Sequence, residues 1–234
     1  MVLWTRLAKP GPAPRGALSH VRIAEAGIAI ADAEGLENVS MRKVAARLEC
    51  GTMSLYRYVD SRDDLIDLMA DRVTEDLVAA DRTGDWRADL TEAARRTRRT
   101  ATAHPWMAAH VPARNGFGPG MLRLIESSLG LVDGYGLDID QMLDIWMTVT
   151  TFTQGHVLQE IGERDVERLT GTPLDEWRRR QGPWIHQVIA TGGFPLVTRV
   201  VLDAEDFPDP DVVFERRLGH VLDGIAPLIE GRGP

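Results

Sequence analysis

The residues best suited to chemistry lie between positions 42 and 62. Arg42, Lys43, Arg47, Arg57 and Arg62 are set against only Glu49 and Asp60, so this stretch carries +3 in a chain of net charge −8. Guanidinium and ammonium groups at this density attract phosphate. Thr52 and Ser54 sit among them. Small hydroxyl side chains at a helix start reach phosphates or base edges. Met53, between them, offers an apolar contact for a thymine methyl. This is the chemistry of a duplex-DNA surface. Bond-making chemistry finds little support. The one cysteine, Cys50, falls in the same stretch, and no serine sits in a nucleophile elbow. His104 and His110 stand six apart across Pro105, a poor match to zinc-ligand spacing. No catalytic residue, metal or cofactor is expected.

Helices must position these side chains. Residues 17–34 place Ile23, Ala26, Gly27, Ile30 and Ala31 at helical spacing, and Gly35 ends the run. Ser40 is a good N-cap for a short second helix carrying Val44, Ala45 and Leu48. Glu49-Cys50-Gly51 reads as a tight turn. Thr52 is expected to cap a third helix of about two turns, with Leu55, Tyr56 and Val59. Ser61 followed by Asp64 resembles a capping box opening a long fourth helix with Leu65, Leu68, Met69, Val73 and Leu77. Two short helices across a tight turn form a helix-turn-helix, whose second helix enters the major groove.

The remaining pattern is helical as well. The chain has 234 residues, 44% hydrophobic and only 6% aromatic. Period-2 alternation is nearly absent, so the fold class is all-α: a small N-terminal helix-turn-helix domain and a larger helical domain. The expected divisions are a flexible basic arm over 1–16, the DNA-binding domain over 17–62 and the larger domain over 63–234. Residues 1–60 hold eight basic and six acidic side chains, leaving the rest at −10. That asymmetry fits nucleic-acid contact at one end. The first twenty residues lack the apolar core of a signal peptide, and no run of apolar residues would span a membrane. The single cysteine excludes an internal disulfide framework and fits a reducing cytoplasm.

Helices are expected over 86–103, around 106–110, over 121–131, 138–162 and 174–189, and over about 211–230. Residues 192–209 are interrupted by Gly and Pro and stay ambiguous. The 138–162 segment is apolar on most of its faces and must be covered on more than one side. The last helix repeats Phe214, Leu218, Val221, Ile225 and Leu228 in a narrow seam of the kind two helices share. Together these two segments are expected to form a symmetric homodimer interface. The cluster Arg95, Arg96, Arg98 and Arg99 reads as a solvated helix face. A mostly apolar pocket with a few polar groups is expected in the larger domain. Its candidate lining is His104, Met107, His110, Met121, Ile125, Trp146, Thr150 and Trp184. The acidic balance there permits a cationic ligand.

The run from Ser40 to Leu48, then Leu55-Tyr56-Arg57-Tyr58-Val59, then Ser61-Arg62-Asp63-Asp64-Leu65 resembles the signature of the tetracycline-repressor (TetR) family. Ile23, Ala26 and Gly35 are similar to its first helix. Asp85-Trp86-Arg87 and His104-Pro105-Trp106 look like its C-terminal ligand domain. The resemblance implies a dimeric bacterial regulator in the cytoplasm, a repressor that releases operator DNA when a small molecule binds. It places the DNA contacts at Ser40, Arg42, Thr52, Met53, Ser54, Tyr56, Tyr58 and Arg62. Tyr56 and Arg62 would hold phosphates, while Arg42 and the start of the third helix would read bases. Two positions depart from the pattern. Glu49 stands where glycine is usual, with Gly51 expected to supply the backbone freedom, and Tyr58 stands where histidine is common. The alternative reading is an all-helical enzyme or small-molecule carrier that keeps the N-terminal fold without binding DNA.

Overall fold

Ser19, Ser40 and Ser61 each start a helix in the same way. Each hydroxyl accepts a backbone N–H three residues on, from Arg22, Lys43 and Asp64 respectively. These caps satisfy donors that a helix start leaves open. The helices they open are α1 (His20–Glu34), α2 (Met41–Arg47) and, after α3 (Thr52–Leu55), α4 (Arg62–Glu75). The structure is a computed structural model. It describes residues 3–4, 18–78, 82–110, 118–204 and 209–231.

The third helix is shorter than the sequence suggested. Gly51 is its N-cap, without a side-chain bond, and Thr52 is its first residue rather than its cap. Past Leu55 the chain tightens, with the Tyr58 N–H bonding the Leu55 carbonyl at 2.8 Å, so the α-pattern stops after one turn. The turn before it also differs from expectation. Glu49 itself takes the left-handed conformation, at φ 53°, while Gly51 has φ −72°, open to any residue.

The larger unit holds α5 (Trp86–Ala103), α6 (Pro105–His110), α7 (Pro119–Gly130), α8 (Ile139–Thr170), α9 (Leu174–Ile189), α10 (Pro195–Asp203) and α11 (Pro210–Glu230). Asp85 caps α5, and Asp138 with Gln141 forms a full capping box on α8. α8 runs well past residue 162, to a left-handed Gly171. Its apolar stripe fades there, but Glu163, Arg164, Glu167 and Arg168 are good helix formers and no Gly or Pro interrupts residues 163–170. The ambiguous 192–209 stretch contains α10. No strand occurs among the described residues.

Two cores result. The first joins Ile23, Ile30, Val44, Leu55 and Val59 to Leu65, Met69 and Val73 of α4, so α4 packs with the N-terminal helices although the sequence division put it in the larger domain. α1 and α4 approach closely at Gly27, where a Cβ would lie 2.6 Å from Met69 Sδ. Leu3 is buried in this core and Trp4 packs on it; the rest of the expected basic arm lies outside the described residues. The second core joins Trp86 and Leu90 of α5 to Ile145 and Val149 of α8 and to Phe214, Leu218 and Ile225 of α11. Phe214 and Leu218 are 0% and 1% exposed inside the single chain. Phe214, Leu218 and Ile225 of the expected dimer seam are therefore covered within the chain, while Leu228 stays 46% exposed. The seam's four-three spacing marked a helix contact correctly, but spacing carries no sign of whose helix supplies the other side.

The arginine cluster is only partly a solvated face: Arg95 and Arg99 are exposed, while Arg96 and Arg98 are half-buried. Arg98 binds Glu160 of α8 and Asp211 of α11, both at 2.7 Å, and lies over the Phe214 ring. Arg95 forks onto Glu215 at 2.7 and 2.9 Å. Arg96 reaches the Val78 carbonyl at 2.6 Å. These side chains fasten α5 to its neighbours.

Candidate nucleic-acid interface and ligand cavity

α2 and α3 turn one face inward and one outward. Val44 and Leu55 are fully buried, which fixes the rotation of both helices. Arg42 is then exposed at the start of α2, and Met53 on α3 and Tyr56, its C-cap, stand 78% and 43% exposed. Thr52 and Ser54 are half-buried beside them, and Arg47 and Arg57 are exposed. The residues expected to read bases are thus each at least partly accessible. Lys43 is pulled aside, with its ammonium 2.6 Å from Glu34.

Three of the expected contacts also work inside the protein. Ser40 accepts the Lys43 N–H as N-cap. The Tyr58 hydroxyl donates to the Leu18 carbonyl at 2.8 Å, and its ring meets His20 edge-on at 5.0 Å. Arg62 donates through Nε to the Val39 carbonyl at 2.8 Å and through a terminal nitrogen to the Leu36 carbonyl at 2.6 Å. Two arms of its fork therefore hold the turn that precedes α2. That turn aims Ser40 and Arg42.

A cavity of about 600 Å³ lies in the larger unit, walled by α5, α7 and α8 and floored by α4 and α6. Its volume suits a drug-sized molecule. The room comes from α5, which sets Ala93, Ala94, Thr97 and Ala101 along one face where a packed helix would carry larger side chains. Of the expected lining, Met107, Met121, Ile125, Trp146 and Thr150 are on the wall. His104 is not: its Nδ1 is 2.8 Å from the Asp32 carboxylate. Trp184 projects from α9, 64% exposed, away from the wall. His110 ends α6, and its side chain lies outside the described residues.

The floor is where the two units meet. Met107 lines the cavity and also belongs, with Trp106, to the N-terminal core. Thr74 of α4 is shared between α4 packing and the wall in the same way. The Trp106 indole N–H donates to Asp32 Oδ1 on α1 at 2.8 Å. Asp71 of α4 accepts the Gly120 and Met121 N–H groups at 2.9 and 3.2 Å, capping the start of α7. Burial pushes the Asp71 carboxyl above its ordinary pKa, and the two backbone donors oppose that rise. A Cβ on Gly120 would collide with the Asp71 carbonyl, so glycine is required for this approach. Asp32 and Asp71 were missed in the sequence because their partners lie far along the chain.

Fold and site define a class: an all-helical helix-turn-helix regulator with a cavity-bearing second unit. The chain belongs to the tetracycline-repressor family. Residues 78–229 match the family model "Tetracyclin repressor-like, C-terminal domain". It is 36% identical to the HTH-type transcriptional repressor DrrR1 of Streptomyces coeruleorubidus, over 99% of this chain and 86% of that one. It is 28% identical to the class A tetracycline repressor protein from transposon 1721 of Escherichia coli, over 82% of this chain and 83% of that protein. Among solved structures, ActR of Streptomyces coelicolor in complex with actinorhodin superposes with a TM-score of 0.73 at 27% identity, covering 95% of this chain and all of that one. No described helix is long and apolar enough to cross a membrane.

Proposed function

We propose that this protein is a cytoplasmic repressor that binds operator DNA as a homodimer and is released when a small molecule fills the cavity. The observation that carries the reading is Met107, which is at once cavity wall and N-terminal core. A ligand cannot reshape that wall without acting on the packing that aims α2 and α3. In this reading Arg42, Thr52, Met53 and Ser54 meet base edges, and Tyr56 with the exposed Arg47 and Arg57 meets phosphates. Arg62 and Tyr58 act mainly by holding the reading head in shape. The ligand-bound ActR relative supports a cavity of this kind being occupied.

The dimer reading rests on unpartnered apolar surface. Val166 and Leu169 of α8, Trp177 and Trp184 of α9, and Leu196 and Val200 of α10 are all 51–75% exposed. Three consecutive helices thus each leave large apolar side chains open, and extensive exposed apolar surface marks interaction sites. The proposed interface is this surface, not the α11 seam.

Selection of bound duplexes from a random pool tests the reading. It should return a pseudo-palindrome with half-sites about one helical turn or a multiple apart. Arg42→Ala should cost about 1–3 kcal/mol and relax discrimination at one base pair. Failure to enrich any sequence, with folded dimeric protein, contradicts it and favours a carrier.

A further inference from the structure

We propose that the cavity takes an uncharged, mostly apolar molecule bearing hydroxyl or carbonyl groups, held between α5 and α8 by neutral hydrogen bonds. This rests on the reading of the cavity as the ligand site. The larger unit is strongly acidic, which on charge alone would favour a cation. The wall itself argues otherwise. Among the described residues every lining side chain is uncharged.

Several charges on the helices that wall the cavity are committed elsewhere, and Glu126 and Asp144 are exposed to solvent. On α5, Arg96 is held by the Val78 carbonyl, Arg98 by Glu160 and Asp211, and Arg99 by Glu92. Asp71 is turned onto the start of α7, and Arg123 pairs with Glu75. None of these can swing inward without breaking its own pair. An ion taken into this cavity would lose water and gain no countercharge from the described lining, which is strongly unfavourable.

The wall's polar groups define what is accepted instead. Thr74, Thr97 and Thr153 give their hydroxyl protons to the carbonyls of Ala70, Ala93 and Val149 at 2.8–2.9 Å. Their remaining lone pairs can only accept, so they suit a ligand hydroxyl. Thr150 and Gln154 lie four apart on α8, on one helix face, and Thr100 sits on the α5 wall. These three can donate as well as accept, so they suit a carbonyl or a hydroxyl. Between the polar groups lie Met107, Ile125, Trp146 and Val157, which favour an apolar body.

A matched set of fluorescent probes tests this on the full chain: pyrene, 1-hydroxypyrene, 1-pyrenesulfonate and 1-pyrenemethylammonium. Binding is read by fluorescence anisotropy at about pH 6, where a phenolic hydroxyl stays protonated. The hydroxypyrene should bind at least about tenfold more tightly than either ion. Combined Thr100→Val and Thr150→Val should weaken hydroxypyrene by about three- to tenfold and leave pyrene within about twofold. Unchanged pyrene binding shows that the cavity survives the substitutions. Equal or tighter binding of the sulfonate or the ammonium probe overturns the proposal. So does a hydroxypyrene that fails to bind, or one indifferent to the two substitutions. Operator binding is measured separately and without probe, so failure of the repressor reading would be recognised as such.

Discussion

Asp32 on α1 and Trp106 on α6 are joined by a 2.8 Å hydrogen bond from the indole N–H to the carboxylate, 74 positions apart in sequence. The same oxygen is 2.8 Å from His104 Nδ1, and the two rings meet edge-on at 6.2 Å. The next residue, Met107, lines the cavity. Asp32 thus ties the helix that underlies the DNA-reading head to the helix that floors the ligand site.

Breaking this tie should weaken communication more than binding. Asp32→Ala removes two charge-assisted contacts in a half-buried site, at an expected stability cost of about 1–3 kcal/mol. Operator and ligand should each still bind, while the factor by which one weakens the other shrinks. Urea titration checks the stability, and paired titrations check the factor. An unchanged factor in the variant would show that α1 and α6 communicate by another route.

His156 should make stability fall in mild acid. Burial holds its imidazole below the ordinary histidine pKa; Glu160, 3.3 Å away, opposes this, while Arg98 and Arg217 add to it. The unfolded chain takes up this proton near about pH 6.5, but the folded chain only at lower pH. The contribution is therefore complete above about pH 6.5 and is lost as pH falls toward the folded value. His156→Phe, beside Phe152 and Phe214, should remove this part of the pH dependence. It also deletes two buried ring nitrogens, of which only Nε2 approaches an acceptor, Glu160 at 3.3 Å. Urea midpoints across this pH range decide the matter. Parallel curves for the two proteins would show that His156 titrates alike folded and unfolded.

Glu49 stores backbone strain in the helix-turn-helix turn. With φ 53° it occupies a region that glycine enters without cost. Glu49→Gly should stabilise the protein by about 1 kcal/mol, seen as a higher thermal midpoint. A lower midpoint would mean that the side chain contributes more than the turn strain it causes.

Much of the fold could be read directly, because local chemistry sets it. Ser40, Ser61, Asp85 and Gly35 mark helix ends by bonds within a few residues, and those ends lie where expected. Arg42, Met53 and Tyr56 were expected on the DNA side from the family resemblance, and with Val44 and Leu55 buried all three are exposed. What depends on distant partners stayed hidden. The Phe214–Ile225 seam looks the same whether α5 and α8 or a second chain covers it. Arg98 looks solvated until Glu160 and Asp211 are brought to it by folding. His104 and Trp184 have the composition of pocket residues, but Asp32 holds one and the other is 64% exposed. Met107, Trp146 and Thr150 were legible because they lie on the inward faces of strongly apolar helices.

Coupling between cavity and reading head underlies the proposed function. It is tested most directly by titrating a cavity ligand, identified with the probe set, into the protein with and without a selected operator. Linkage requires that operator and ligand weaken each other by one and the same factor, typically about 5–150-fold. The account predicts such a factor, reduced in Asp32→Ala and preserved in Glu49→Gly. A ligand that fills the cavity, as shown by its dependence on Thr100 and Thr150, yet binds equally well with and without operator would contradict it.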